Sequence, residues 1–301
     1  MEKYRKILIY VLLSVGAIIM VFPFFWMLTG SIKTYNEIIA NPIVWWPKKV
    51  LFDNYVTAST YAPFVLYFKN TLIVSFFNTF LTLLTTILAS FAFSRLVFKG
   101  RDVLFSILLS TLMVPSQMLI ITNYVTIVKM GKSFKALPDK LPAFIMETFP
   151  KLGEIIPNMA GIDTYSALII PFTASIFYIY MLRQFFNQIP EQLYYAAKVD
   201  GCSDWKYLWT IMVPNSKNAL ITIGLFNWIA SWNAYIWPLL VTNTVEKRVL
   251  SIGLKYFSGE AGTDYHLLMA AGSIVIMPLL ILYLFARKYI IEGVSRSGTK
   301  G

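Results

Sequence analysis

Six stretches of this chain run eighteen residues or more without an Asp, Glu, Lys or Arg: Ile7–Thr29, Thr71–Phe93, Val103–Val128, Tyr165–Leu182, Ala219–Val241 and Leu267–Ala286. An α-helix rises 1.5 Å per residue, so each run is long enough to cross roughly 30 Å of hydrocarbon. In that solvent every backbone N–H and C=O must find its partner inside the protein, which favours helices for runs of this length. Across 301 residues the chain is 57% hydrophobic and 14% charged, with mean hydropathy +0.63. No soluble core of this size hides so much apolar side chain. The sequence therefore predicts an all-α membrane protein with six transmembrane helices. The basic start Lys3, Arg5 and Lys6 resembles a secretory signal. Its apolar run is too long for one and no small-x-small cleavage site closes it, so an uncleaved first span is expected.

The net charge of +11 does not point to nucleic acid, because the basic residues are not gathered into one stripe. They sit in short loops between apolar runs. Six spans put both termini on one side, whose segments hold 14 of the 26 basic residues, and the other side holds 12. Charges close to span ends decide orientation, and Arg95-Lys99-Arg101 and Arg287-Lys288 are the tight clusters. Both termini are thus expected to be cytoplasmic, together with the segment around residues 187–217. Cys202 is the single cysteine, so no intrachain disulfide is possible.

Two outer loops are long. Thr34–Lys69 holds Trp45 and Trp46 beside Pro47, a pattern suited to an interfacial anchor. Met130–Gly161 is divided by Pro138, Pro142, Pro150 and Pro157 into short amphipathic pieces such as Ala143–Phe149. It is too broken to span and too apolar for a free linker, so a folded outer cap is expected over about residues 130–158. Its Phe134, Phe144, Ile145, Met146 and Phe149 either form a protein contact or pack on the loop Thr34–Lys69.

Between Pro190 and Pro214 lies a polar, charged stretch on the cytoplasmic side. It reads as two short helices meeting at Gly201. Pro190 suits a first helical position and Gly201 a helix end, Ser203 can cap the second helix, and Pro214 closes it. Leu193, Ala196 and Ala197 share one face of the first helix. Trp205, Leu208, Trp209 and Met212 form an apolar stripe on the second. A rigid hairpin at a membrane surface is a handle for another protein.

This hairpin resembles the EAA loop of ABC-transporter permeases, whose pattern is Glu-Ala-Ala, three residues, Gly, nine residues, Ile-x-Leu-Pro. Here Tyr195-Ala196-Ala197 precedes Gly201, and Ile211-Met212-Val213-Pro214 follows at the family spacing. Tyr195 replaces the glutamate and Val213 the leucine. Phe22-Pro23-Phe24-Phe25-Trp26-Met27, Asn70-Thr71-Leu72-Ile73-Val74, Met113-Val114-Pro115, Leu182-Arg183-Gln184-Phe185-Phe186 and the run Ser231-Trp232-Asn233-Ala234-Tyr235-Ile236-Trp237-Pro238 look like carbohydrate-uptake permeases of the MalG type. The resemblance covers nearly the whole chain outside Met130–Asn158.

The resemblance implies a type I ABC importer permease fold and one of two unlike permease subunits. It implies a pair of cytoplasmic ATPase subunits, an extracytoplasmic sugar-binding protein and the prokaryotic cytoplasmic (inner) membrane. On it, Leu193, Tyr195, Ala196, Ala197, Asp200, Gly201, Trp205, Ile211 and Pro214 would dock the ATPase. It divides the chain into a first helix and outer loop (1–69), a transmembrane domain (70–288) and a cytoplasmic tail (289–301). No Gly-x-x-x-x-Gly-Lys-Ser/Thr loop is present, so this subunit is expected to be no enzyme, to bind no cofactor itself and to leave ATP and Mg to its partners.

Within the spans, Ser75, Thr79, Thr82 and Thr86 recur on one face of the second run, and Asn227, Ser231 and Tyr235 on one face of the fifth. Such groups either line a polar pathway or bond neighbouring helices. Ser75, Thr79, Asn227, Ser231 and Tyr235 are the candidate pathway residues. Trp232 and Trp237 suit either sugar stacking or an interfacial belt. His266 stands without His, Cys or carboxylate partners at ligand spacing, which gives no metal site. An ion-coupled transporter would place ionisable groups in its spans, and these have none among Asp, Glu, Lys and Arg. Importers of glycerol phosphate or sugar alcohols share the same pattern and stay open beside a di- or oligosaccharide importer.

Overall fold

In the computed structural model, residues 2–141, 148–259 and 262–298 are described. Phe144, Ile145 and Met146 of the expected cap, and the last three residues of the tail, lie outside the described residues. Among the described residues the regular structure is helical, apart from one two-residue antiparallel pair, Ser258–Gly259 with Gly262–Thr263.

Three of the six expected spans are single helices: α1 (Glu2–Gly30), α2 (Phe64–Arg95) and, at the C-terminal end, Tyr265–Gly298. The others are interrupted, and a proline sits at or near each break. In the third, α3 (Arg101–Ser110) and its 3-10 extension to Met113 meet the segment Ser116–Lys135, which contains α4 (Leu119–Lys135), at 83°. Pro115 has no N–H to donate and forces Val114 into extended backbone (ψ 117°). In the fourth, α5 (Tyr165–Ile169) and a 3-10 turn containing Pro171 meet α6 (Ile176–Asn187) at 48°, with the Ser175 hydroxyl accepting from the Tyr178 N–H to cap α6.

The next helices, α7 (Glu191–Val199) and α8 (Asp204–Tyr207), belong to the hairpin. The fifth expected span is split into α9 (Lys217–Trp232) and α10 (Ile236–Val241). A continuous helix would drive the Pro238 ring into the carbonyl of Ala234, and the chain breaks at residues 233–235 instead. By length and composition alone, three helices among the described residues could cross unbroken, or five spans if each of the two bent pairs is one crossing. Pro23 and Pro278, by contrast, lie inside unbroken helices. The C-terminal helix is α11.

The chain divides into two compact units. The first comprises Met1–Leu66 and Leu250–Ile281. Here α1 approaches α11 closely: a Cβ on Gly30 would meet the Met269 sulfur, and one on Gly272 would lie 3.3 Å from the Met27 sulfur. Trp45 and Trp46 pack edge-on against Phe22, Trp26 and Phe25, pinning the outer loop to the end of α1. Buried Lys33 donates to the Val44 carbonyl at 2.7 Å and lies over the Trp26 ring. No residue in the apolar window of α1 is buried, as expected of a helix whose solvent is lipid.

The second unit comprises Tyr67–Val249 and Leu282–Gly301. At one end its core gathers Ile87 and Phe91 of α2, Leu182 and Phe186 of α6, and Ala219 and Ile223 of α9 around the hairpin residues Ala197, Tyr207, Leu208 and Met212.

Candidate functional site

The hairpin is built from local signals. Pro190 is the N-cap of α7 (ψ 134°), one position earlier than its expected place inside the helix. Gly201 takes the left-handed conformation (φ +73°) that lets the helix end, its N–H donating to the Lys198 carbonyl and that of Cys202 to the Ala197 carbonyl at 2.8 Å. The Ser203 hydroxyl accepts from the Lys206 N–H and caps α8, a contact worth about 1 kcal/mol. The chain then widens into a π-helical turn, Leu208–Met212, ahead of Pro214, whose missing N–H removes a rung of the helical ladder. Pro214 does not close the helix as expected. It lies in the short helix Val213–Asn215, which leads through Ser216 into α9.

The two arms are clamped together. The Tyr194 hydroxyl donates to Asp204 Oδ1 at 2.7 Å, Lys198 Nζ reaches the same oxygen at 2.8 Å, and the rings of Tyr194 and Tyr207 meet edge-on at 5.0 Å. Hydrogen bonds from Lys198, then from Tyr194, hold the Asp204 carboxyl below the usual carboxylate range. The bond to Asp204 raises Lys198, and burial, then Asp204, raises Tyr194.

Tertiary packing separates the expected docking residues into two sets. Ala197 is buried, and Leu208 and Met212 face the protein's own core, so neither apolar stripe points wholly outward. The π turn splits the second stripe, leaving Trp205 63% exposed and Trp209 half-buried. Leu193 (45%) and Tyr195 (61%) are exposed, with Ala196, Asp200, Gly201 and Pro214, whereas Ile211 is half-buried. The outward face thus centres on Leu193, Tyr195, Ala196 and Trp205. The inward face is bonded to the membrane helices, since buried Arg95 at the end of α2 donates to the carbonyls of Phe186 and Ile189, immediately before the hairpin.

Farther along α2, Ser75, Thr79, Thr82 and Thr86 are all buried. Thr82 donates to the Phe172 carbonyl at 2.9 Å and Thr85 to that of Thr173. These carbonyls lie where the fourth span bends, so hydroxyls of α2 satisfy backbone groups that the bend releases. Ser90 donates to the Ile179 carbonyl on α6. For Thr82, helix bonding is the reading that the structure favours, while the Ser75 and Thr86 hydroxyls are buried without a hydrogen-bond partner among the described residues.

The fifth-span residues divide differently. Asn227 Nδ2 donates to Thr79 Oγ1 at 3.3 Å, and Asn227 and Ser231 line a cavity of about 220 Å³. Thr71 and Asn78 of α2 join them, against apolar walls from Leu168, Phe172, Trp237 and Val249. Asn78 carries the opposite wall, with its Nδ2 3.5 Å from the Ser231 hydroxyl, and sequence reading missed it. Its spacing of i, i+4 and i, i+8 from Thr82 and Thr86 was the available signal. Tyr235 and Ser75 do not line the cavity. Trp232 and Trp237 are buried, the latter donating from Nε1 to the Ala167 carbonyl at 2.9 Å, so neither belongs to an interfacial belt.

Comparison with known proteins gives a consistent pattern. Residues 82–296 match the family described as binding-protein-dependent transport system inner membrane component. A putative ABC transporter permease protein of Caldicellulosiruptor sp. (strain Rt8B.4) is 30% identical over 299 residues, covering 99% of this chain and 98% of its own. The arabinooligosaccharides transport system permease protein AraQ of Bacillus subtilis is 29% identical, with 95% and 92% covered. The trehalose/maltose transport system permease protein MalG of Thermococcus litoralis is 30% identical, with 100% and 99% covered. Among solved structures, a chain of a bacterial ABC transporter that imports the acidic polysaccharide alginate superposes with TM-score 0.78 at 22% identity, over 96% of this chain and 97% of its own.

Proposed function

Since this chain belongs to the binding-protein-dependent inner membrane components, multi-pass and non-catalytic subunits of ABC importers, we propose that it forms half of a carbohydrate translocation pathway and is driven through its cytoplasmic hairpin. The hairpin carries this reading. It is stapled internally by Tyr194, Lys198 and Asp204, and its inward face shares a core with α2, α6 and α9. Its outward face leaves Leu193, Tyr195, Ala196 and Trp205 without cover from this chain. Movement of a body docked on that face is transmitted to the helices that line the cavity, because packed cores move as units.

Two cytoplasmic ATPase subunits, a second unlike permease and an extracytoplasmic sugar-binding protein complete the assembly in this proposal. Residues 1–69 act as an accessory helix and loop, 70–288 as the transmembrane domain and 289–301 as a cytoplasmic tail. The substrate is a neutral di- or oligosaccharide. Relatives named for arabinooligosaccharides and for trehalose/maltose support that class over the full chain length. The cavity supports it too, since Asn78, Asn227 and Ser231 offer hydroxyl-bonding groups beside the aromatic Phe172 and Trp237. The outer cap contributes to recognising the binding protein.

The test is uptake of a panel of labelled sugars, sugar alcohols and glycerol phosphate in a strain lacking this subunit. Loss of uptake for one oligosaccharide, restored by the intact chain and dependent on ATP and the binding protein, is expected. Loss confined to glycerol phosphate or a sugar alcohol would overturn the substrate class, and uptake that follows an ion gradient would overturn the mechanism.

A further inference from the structure

Asn70 lies on α2 about 37 Å along the helix from Arg95 and the hairpin. Its side chain is fully buried and does not line the cavity. The carboxamide makes three hydrogen bonds to two other elements. Nδ2 donates to the carbonyls of Glu246 and Arg248, both at 2.8 Å, and Oδ1 accepts from the Tyr165 hydroxyl at 2.7 Å. Both amide N–H groups are used as well as the oxygen, and an ionised carboxylate of the same shape has no donor to replace them.

The elements that Asn70 joins are ones that wall the cavity. Thr71, the next residue of α2, lines it, as do Leu168, one turn after Tyr165 on α5, and Val249, the residue after Arg248. Lys247 Nζ lies 4.2 Å over the Tyr165 ring and ties the same segment to α5 a second time. About 18 Å farther along α2, Thr82 donates to the carbonyl of Phe172, another wall residue. Val74 and Asn78 lie on the stretch of α2 between these two attachments, and both line the cavity. That stretch is therefore fastened to the fourth span at both ends.

Hydrogen bonds to a neutral sugar weaken steeply when donor or acceptor is misplaced, so the groups that make them need rigid support from behind. We propose that Asn70 is a positioning residue for sugar passage. It touches no sugar, and it holds Thr71, Leu168 and Val249 in register so that Asn78, Asn227 and Ser231 keep the substrate in the cavity during turnover. This deepens the reading above and rests on it for the cavity's substrate. Without the support, ATP is hydrolysed while sugar escapes, because the core that carries the hairpin contains none of these residues.

The experiment uses the complete transporter in vesicles with saturating loaded binding protein, and follows uptake and ATP hydrolysis together. The probe is the labelled oligosaccharide of the panel above whose uptake the intact chain restores. For Asn70→Ala, sugar carried per ATP hydrolysed is expected to fall about tenfold, with stimulation of hydrolysis by the binding protein unchanged. Asn70→Asp keeps the shape but sets a carboxylate against two carbonyls, and it should fall at least as far. Tyr165→Phe removes one bond and keeps the ring beneath Lys247, so a fall of about threefold is expected. Asn70→Ala/Tyr165→Phe should be no worse than Asn70→Ala, because the two residues share that bond.

A role in folding alone lowers the amount of assembled transporter, so uptake and hydrolysis drop together and their ratio stays at the wild-type value. That result in Asn70→Ala and Tyr165→Phe would overturn the proposal, and Tyr165→Phe decides where Asn70→Ala does not assemble. Additive losses in the double variant would also overturn it. If the wild type hydrolyses ATP with its binding protein yet carries no sugar of the panel, the substrate reading itself falls, and the positioning role falls with it.

Discussion

Arg95 and Arg183 cap each other's helices. Arg95, the last residue of α2, donates from Nη2 to the Phe186 carbonyl in the last turn of α6 at 2.7 Å, and Arg183 of α6 donates from Nε to the Phe93 carbonyl in the last turn of α2 at 3.0 Å. Each guanidinium thus donates to a last-turn carbonyl beyond the reach of its own helix's i+4 N–H groups. The second bond of Arg95, to Ile189, fastens α2 to the residue before Pro190, where the hairpin begins.

That exchange makes Arg95 a positioning residue for coupling. Bonds from a charged donor contribute about 1.5–3 kcal/mol each, and Arg95→Met would take that donor from two carbonyls. The variant should still co-purify with the ATPase, whose proposed contact face is elsewhere on the hairpin, but transport per ATP hydrolysed should fall by severalfold. Arg95→Lys should retain part of it. Paired uptake and hydrolysis measurements on the same vesicles decide the matter, and an unchanged ratio in Arg95→Met would remove the assigned role.

Gly201 has φ +73°, yet a Cβ placed on it meets nothing within 4 Å. Bulk inside this chain is therefore not what restricts the position. Gly201→Ala should cost only the backbone strain, about 1–2 kcal/mol. Gly201→Asp should reduce ATPase co-purification about tenfold, with membrane insertion intact, because the added carboxylate enters open space on the face proposed to dock the ATPase. Equal effects of the two substitutions would place the whole defect in the turn.

Asn227 both bonds Thr79 and lines the cavity, so two substitutions separate the roles. Asn227→Leu removes the carboxamide from the cavity and should lower sugar uptake at limiting substrate by about tenfold, the scale of one lost hydrogen bond. Thr79→Val breaks the interhelical bond but does not line the cavity, and it should cost little uptake. Identical uptake defects in the two variants would show that packing alone is at stake.

The Asp204 clamp has a defined pH window. Because the folded-state carboxyl is lowered, its contribution is complete above the ordinary carboxylate range and is lost as pH falls through the lowered value. Lys198 is raised, so its contribution is complete below the ordinary lysine range and is lost as pH rises through the raised value. Amide exchange in residues 191–207, compared between wild type and Asp204→Asn at matched pH, should differ by about twofold near neutrality, as for exposed pairs. The difference should close in acid. A difference that persists below about pH 2 would show that the Asp204 charge is not its source.

Local signals carried the sequence far. The uncharged runs identified which segments are long and apolar enough for membrane helices, and Ser203 and Gly201 marked the ends of the hairpin's arms, because capping and left-handed backbone are decided within a few residues. Prolines marked the interrupted spans without giving the breaks, since Pro23 and Pro278 stay inside helices whereas Pro115 ends one. What only the tertiary structure decided is which side of each helix faces in. The apolar stripe of the hairpin's second arm was legible, but its division into buried Leu208 and Met212 and exposed Trp205 follows from the π turn and from the core supplied by α2 and α6. The bonds from Arg95 to Phe186, from Asn78 to Ser231 and from Asn70 to the carbonyl of Arg248 join residues 91, 153 and 178 positions apart. Helical periodicity relates neighbours three or four residues apart, whereas the register between distant helices is set by how their side chains pack.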